Sequence, residues 1–243
     1  MSRVQYPLPT TTSRLPLVQL PGCYPPQADS WLLADTMAAL GCAAQARVLD
    51  LCTGTGVLAV AASLAGAAEV TAVDLSYRSS ANAWLNARRH GVRARVRRGD
   101  LFGALPHGEQ FDLVLANPPY VPSTSSRPAR HQVDRCWDAG LDGRMLLDRI
   151  CLEAGDWVAP GGCLLLVQSD VADEQRSLRQ LWRKGFMAEV VRRQDEEFGP
   201  VMRSRSDAMR ENGLIEPGQS VEQLVVIHAT RPVPGDRELE VSA

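Results

Sequence analysis

Val48-Leu49-Asp50-Leu51-Cys52-Thr53-Gly54-Thr55-Gly56-Val57-Leu58-Ala59-Val60 is the stretch that decides the fold. Four apolar or buried-type residues read as a strand. Two glycines then allow a sharp backbone turn that leaves no side chain between the loop and a ligand. An apolar helix follows at once, and its free N-terminal N–H groups can receive a polar or anionic group. Dinucleotide folds place G-x-G-x-x-G here, and Leu58-Ala59 stand where the third glycine would fall, so a pyrophosphate is the weaker ligand for this loop.

Working outward, strand and helix patterns alternate. A helix signal at Asp29-Ser30, taken as an N-cap before Trp31, Leu32, Leu33, Met37 and Leu40, ends at Gly41. Strands are expected at 48–51, 70–73, 92–96, 111–115, 162–167, 187–192 and 224–228, and helices at 56–64, 79–90, 141–154 and 171–183. Such alternation implies a mostly parallel sheet with both faces covered. Residues 1–27, rich in Pro, Thr and Leu, read as an N-terminal arm whose Leu15, Leu17, Val18 and Leu20 dock on the core. The main domain is expected at 28–231, with 232–243 as a frayed, disordered tail. Two long connections, 121–140 and 196–220, are expected to be functional loops.

The composition narrows the classes. Hydrophobic residues make up 45% and charged residues 22%, with 26 basic against 28 acidic side chains; a disordered chain would be less apolar and more one-sided in charge. No apolar run approaches the roughly 20 residues of a spanning helix, and no basic-then-apolar leader opens the chain. The six cysteines (Cys23, Cys42, Cys52, Cys136, Cys151, Cys163) show no CxxC pair and no zinc spacing. Free thiols in a reducing cytoplasm are expected, with no metal site. The single lysine, Lys184, beside 25 arginines reads as compositional bias.

Three further positions carry chemistry. Asp74, 18 residues after Gly56, closes the second strand in Val73-Asp74-Leu75, where a carboxylate can grip a ribose diol or else cap the following helix. Asp100, in Gly99-Asp100-Leu101-Phe102 after the third strand, can accept from an exocyclic amine while Leu101-Phe102 cover a purine face. The fourth strand leads into Asn117-Pro118-Pro119-Tyr120. Successive prolines fix the backbone and remove two donors, so carbonyls project as acceptors. Asn117 adds a neutral side-chain acceptor and Tyr120 a ring, a set suited to a planar NH2 group of an amide or of adenine.

The order Asp50-Leu-Cys-Thr-Gly-Thr-Gly56, Asp74, Asp100 and Asn117-Pro-Pro-Tyr120 resembles the class I S-adenosylmethionine-dependent methyltransferases, and within them the HemK-related family, which methylates a glutamine side-chain amide in translation termination factors. The resemblance covers about 26–230, including Pro26-Gln-Ala-Asp29-Ser30-Trp-Leu-Leu33 and Asp138-Ala-Gly140-Leu-Asp142-Gly143. It implies a Rossmann-like, seven-stranded α/β sheet ordered 3-2-1-4-5-7-6, last strand antiparallel, with S-adenosylmethionine as cofactor. By position, Thr53, Gly54, Thr55 and Gly56 would adjoin the methionine moiety, with Asp50 at the head of the motif. Asp74 with Leu75 would hold the ribose, Asp100 with Leu101 the adenine, and Asp29 and Ser30 would sit at the cofactor mouth. Asn117 and the Pro118 carbonyl would hold the target nitrogen, with Pro119 and Tyr120 against the substrate. The bacterial release-factor enzymes carry a helical N-terminal substrate domain, for which 27 residues are too few. Short relatives work with a small zinc-binding activator subunit over an apolar edge, a role the arm could take itself.

Three functions follow as alternatives: a protein glutamine N-methyltransferase, an adenine-N6 methyltransferase of RNA or DNA, and a non-catalytic cofactor-binding partner. A basic run, Arg88, Arg89, Arg93, Arg95, Arg97 and Arg98, would serve the second through phosphates, and is otherwise a solvated edge. No general base is evident; His107, His131 and His228 read as surface or core residues. The expected partner is a protein substrate, with nucleic acid as the alternative and no membrane.

Overall fold

A computed structural model describes residues 15–123 and 139–234. The chain runs α1 (Ala28–Leu40), β1 (Arg47–Leu51), α2 (Val57–Leu64), β2 (Glu69–Asp74), α3 (Tyr77–Arg89), β3 (Arg95–Arg98), β4 (Phe111–Ala116), α4 (Met145–Trp157), β5 (Val158–Ser169), α5 (Glu174–Arg183), β6 (Met187–Glu197), α6 (Pro200–Glu211) and β7 (Val221–Thr230). The seven strands form one sheet ordered β3-β2-β1-β4-β5-β7-β6. β1 pairs parallel with β2 and β4, β2 with β3, and β4 with β5, while β7 runs antiparallel between β5 and β6. This is the expected order, antiparallel last strand included.

The strand order reverses between β1 and β4. Right-handed crossovers therefore send α2 and α3 to one face and α4 and α5 to the other. α1 packs on α2, and α4 on α5, in keeping with two covered faces. The central strands are mostly apolar, with Val48, Leu49 and Leu51 of β1 and Leu113, Val114 and Leu115 of β4 inaccessible, as a sheet buried on both sides requires. The reversal also opens a crevice beyond the carboxyl ends of β1 and β4, the usual ligand position in such sheets.

Several boundaries differ from expectation. Asp29 and Ser30 do not cap α1; the helix begins at Ala28 with Gln27 before it, and both residues lie buried in the first turn. Asp29 is committed to tertiary partners, so it is unavailable to the helix end. α4 starts at Met145 rather than 141, since Gly140 and Gly143 hold positive φ of 81° and 73°. α5 starts at Glu174, after a short 3-10 turn (Asp170–Ala172) and a left-handed Asp173 whose carboxylate accepts from Arg176 N. β3 is displaced to Arg95–Arg98 because Val92 still closes the end of α3, donating to Ala87 O.

The connection 196–220 is not structureless. It contains α6, started by Pro200 at its first position, where a missing N–H costs nothing. Most of the other long connection, 124–138, lies outside the described residues, as do His131, Cys136, Asp138, the first part of the arm and the tail from 235. The described part of the arm lies on α3. Val18 N and Leu20 N donate to Asn86 Oδ1 and Asn82 Oδ1, at 2.9 and 2.8 Å, and both asparagines return an amide N–H to the Val18 carbonyl. The described cysteines are free thiols. Among the described residues no helix is long and apolar enough to cross a membrane, and no cluster of His, Cys, Asp or Glu could hold a metal.

Candidate active site

Beyond the ends of β1, β2 and β4 lies a cavity of about 700 Å³, within the range of small-molecule sites. Its floor is the loop after β1. Thr53 N donates to Val73 O, locking the loop to β2, and Gly54 takes φ 55°. Asp74 extends along the floor: its Oδ2 accepts from Gly54 N at 3.0 Å and its Oδ1 from Ser76 N at 2.8 Å. Burial raises the Asp74 pKa, against the two backbone donors. The Ser79 side chain also bonds this carboxylate, which lines the cavity as an acceptor of the kind a diol requires. The helix cap that Asp74 could have supplied comes instead from Ser76, which accepts from Ser79 N.

The two glycines of the loop have separate tasks. Gly54 lines the cavity. Gly56 does not; a Cβ there would stand 2.8 Å from Ala83 Cα, so its bare Cα lets α2 and α3 approach. Asp50 also lies outside the cavity, beneath the loop. Its Oδ2 accepts from Thr53 Oγ1 and Ala59 N, and burial pushes its pKa up to about 7. Asp50 therefore shapes the loop that Thr53, Gly54 and Thr55 present.

The opposite wall is Asn117-Pro118-Pro119-Tyr120, all four of which line the cavity. Asn117 Nδ2 donates to Ser30 Oγ at 3.1 Å. That bond engages the amide nitrogen and leaves Oδ1 as the acceptor of the side chain. Ser30 Oγ in turn donates to Asp29 Oδ1 at 3.2 Å, while Asp29 Oδ2 receives the hydroxyls of Tyr24 (3.0 Å) and Tyr120 (3.2 Å). Burial beside Asp29 raises the Tyr120 pKa well above its ordinary value, so the phenol stays protonated and keeps donating. Behind the tetrapeptide, Gly143 touches the Tyr120 carbonyl; a Cβ there would clash at 2.3 Å. The buried Arg144 beside it donates to the Ala172 and Asp173 carbonyls and to Ser177 and pairs with Asp148, anchoring that turn.

Leu75 and Ser76 line the side near Asp74, and Pro200, Val201 and Met202 of α6 line the far side. Asp100 and Leu101 are not among the cavity residues. The Asp100 carboxylate is gripped by Arg149 Nη1, at 2.9 and 3.1 Å to its two oxygens. Leu101 is buried, and Phe102 stacks on Trp157 in the core, ring centroids 5.5 Å apart, rather than over a purine face. His107 stands exposed on a turn, and His228 lies in β7, where burial lowers its pKa.

Sequence reasoning did not reveal Tyr24, the Ser30–Asn117 bond, Glu222 or the α6 wall. Tyr24 precedes Pro25-Pro26 in the arm and carries no periodic signal. Glu222 is the second residue of β7, after the exposed Val221, and a lone glutamate at a strand end carries no sign of burial. For α6 a signal existed: Gly199-Pro200 followed by Met202 and Met209, seven residues apart, both buried.

Residues 23–132 match the model of the methyltransferase small domain. The chain is similar to class I methyltransferases of the HemK-related branch. A protein of Methanocaldococcus jannaschii named as an N5-glutamine methyltransferase is 29% identical over 75% of this chain and 90% of its own length. The release factor glutamine methyltransferase of Bordetella pertussis is 37% identical over 70% of this chain. The chain spans 64% of that bacterial relative's length. Among solved structures, the Mtq2–Trm112 complex of E. cuniculi, which is described as methylating the termination factor eRF1, matches with a TM-score of 0.60. It covers 86% of this chain and 99% of that one at 23% identity, a likeness of fold.

S-adenosylmethionine is the cofactor that the resemblance implies, and the cavity has a suitable donor set. It offers a carboxylate acceptor for a diol, a glycine that leaves the loop bare, and a neutral acceptor with an aromatic ring across from them.

Proposed function

We propose that this methyltransferase alkylates the side-chain amide nitrogen of a protein glutamine. The observation that carries the reading is the pairing of Asn117 and Pro118 on the cavity wall, with Asn117 Nδ2 held by Ser30 Oγ, which leaves Oδ1 as the side chain's acceptor. S-adenosylmethionine, when bound, supplies a methyl already activated on a sulfonium. The chain's own contribution is therefore position and electrostatics rather than covalent chemistry.

An amide nitrogen is a poor nucleophile because its lone pair is delocalised into the carbonyl. Asn117 Oδ1 and the Pro118 carbonyl would each accept one N–H of the incoming NH2 group and aim the nitrogen along the cavity. As positive charge develops on that nitrogen, the same two oxygens stabilise it. Asp74 would hold the ribose hydroxyls, with Thr53, Gly54 and Thr55 along the methionine moiety and Leu75 against the base. Tyr120, pinned by Asp29, would form a rigid wall for the acceptor side chain. The names of the relatives, which refer to release factors and ribosomal protein uL3, support a protein of the translation apparatus as the acceptor.

The test is transfer of labelled methyl from S-adenosylmethionine into a glutamine-bearing termination factor, with the modified residue located by mass spectrometry. Asn117→Ala should lower kcat about 100- to 1000-fold, the range for losing one transition-state acceptor, with cofactor affinity unchanged by calorimetry. Label found in RNA or DNA adenine instead of protein glutamine would replace this reading with the nucleic-acid one.

A further inference from the structure

Residues 77–98 hold seven arginines (Arg78, Arg88, Arg89, Arg93, Arg95, Arg97 and Arg98) and no Asp or Glu. The chain as a whole has a formal charge of −2, so this segment carries +7 and the remainder −9. Compositional bias toward arginine over lysine does not produce that separation of signs.

The fold gathers these charges on one side of the molecule. β3 is the outermost strand, and α3 packs against it and against β2. All the arginines except the half-buried Arg97 are exposed. Among the described residues, the ion pair of this stretch joins Arg95 to Glu69 at 3.4 Å, and that pair is itself exposed.

Two aromatic side chains interleave with the cations. Trp84 is 51% exposed and Tyr77 73% exposed. Tyr77, Trp84 and Arg88 fall seven and four residues apart on α3, which sets them on one helical face. The Arg88 guanidinium lies 5.0 Å from the centre of the Trp84 ring. Tyr77 and Arg98 also line the cavity, so the surface continues to the mouth of the active site.

We propose that this face binds a single-stranded polynucleotide. A phosphodiester chain is the polyanion that a row of arginines with no carboxylates between them fits. The exposed rings add what an acidic protein would not use, flat platforms on which unpaired bases stack. The surface is a docking site beside the catalytic cavity, and it would suit an acceptor presented within a ribonucleoprotein.

The test reads binding alone, so it is independent of which nitrogen is methylated. The full chain is titrated into fluorescein-labelled single-stranded RNA or DNA, and anisotropy is followed at about 50 and about 200 mM salt. Binding should weaken with salt with a slope of about −2 to −4, corresponding to roughly three to five phosphates. The triple variant Arg88→Glu, Arg89→Glu, Arg93→Glu should lose at least about tenfold in affinity, with melting temperature and cofactor affinity unchanged. If reversal disturbs the fold, the corresponding glutamine triple should still show the loss. Trp84→Ala should lose about tenfold on single strands and leave the salt slope unchanged. RNA and DNA arms distinguish the sugar, and binding by either supports the site. No binding at low salt, an unaffected triple variant, tighter binding to duplex than to single strands, or equal competition by polyglutamate would overturn it.

Discussion

Gly54 and Gly56 stand two residues apart in one loop and are glycine for different reasons. Gly54 has φ 55°, and a Cβ there would meet atoms no nearer than 3.9 Å. The cost of Gly54→Ala is thus confined to the left-handed backbone, roughly 1–2 kcal/mol, and its effect should appear as weaker S-adenosylmethionine binding. Gly56 has φ 83° and faces Ala83 Cα at 2.8 Å. Gly56→Ala adds an overpacking cost of about 1–3 kcal/mol to the backbone cost and should appear as a lower melting temperature. Paired thermal melts and cofactor titrations separate the two; equal loss of stability in both variants would contradict the division of labour. The motif's spacing was readable from the sequence, but this division was not. It depends on where α3 lies, and α3 is brought against the loop only by tertiary packing. Asp50 and Asp100 illustrate the same limit. Both are carboxylates at strand ends, as Asp74 is, yet Asp50 is turned under the loop by Thr53 and Ala59, and Asp100 is drawn to Arg149.

Among the elements, the strands of the central sheet were legible because nearly continuous apolar runs fit between two helical layers. α6 was not, since its sequence is dominated by Arg, Ser and Asp and only Met202 and Met209 are buried. Those two methionines join Val171, Phe198 and Ile215 in a small cluster separate from the main core. Met209→Ala would remove side-chain packing there. Burial losses of this kind cost about 2–5 kcal/mol where the site cannot collapse, and here the cost falls on a satellite unit that opens before the sheet does. The expected outcome is faster amide hydrogen exchange across α6 and a raised KM for the protein acceptor. The melting temperature of the sheet should change little, because Met209 packs in this separate cluster and not in the main core. Unchanged exchange in α6 would show that the helix is held by something other than this cluster.

At the scale of the whole molecule, burial couples the protonation of three carboxyl groups to folding: Asp74, raised in pKa at the cavity floor, and more strongly Asp50 and Glu222. Burial pushes both Asp50 and Glu222 up to about 7, and in each case desolvation outweighs the hydrogen bonds that favour the anion. Asp50 Oδ1 and Glu222 Oε2 have no hydrogen-bond partner among the described residues, so the ionised form of either would leave a buried oxygen uncompensated. The folded chain thus binds more protons than the unfolded chain between the ordinary carboxylate range and about pH 7. The stability these groups contribute is complete below their unfolded pKa values and is lost as pH rises through about 7. His228 acts in the opposite sense, since its pKa is lowered by burial and its contribution falls as the pH drops through that value; it is the smaller effect, being half-exposed in β7. Melting temperature should therefore decline between about pH 5 and pH 8 by on the order of 10 °C, for a few kcal/mol at roughly 2–4 °C per kcal/mol in a domain of this size. Asp50→Asn with Glu222→Gln substitutes neutral side chains of the same shape and should flatten that decline. A double variant whose melting temperature falls with pH as steeply as the parent's would place the linkage on other groups.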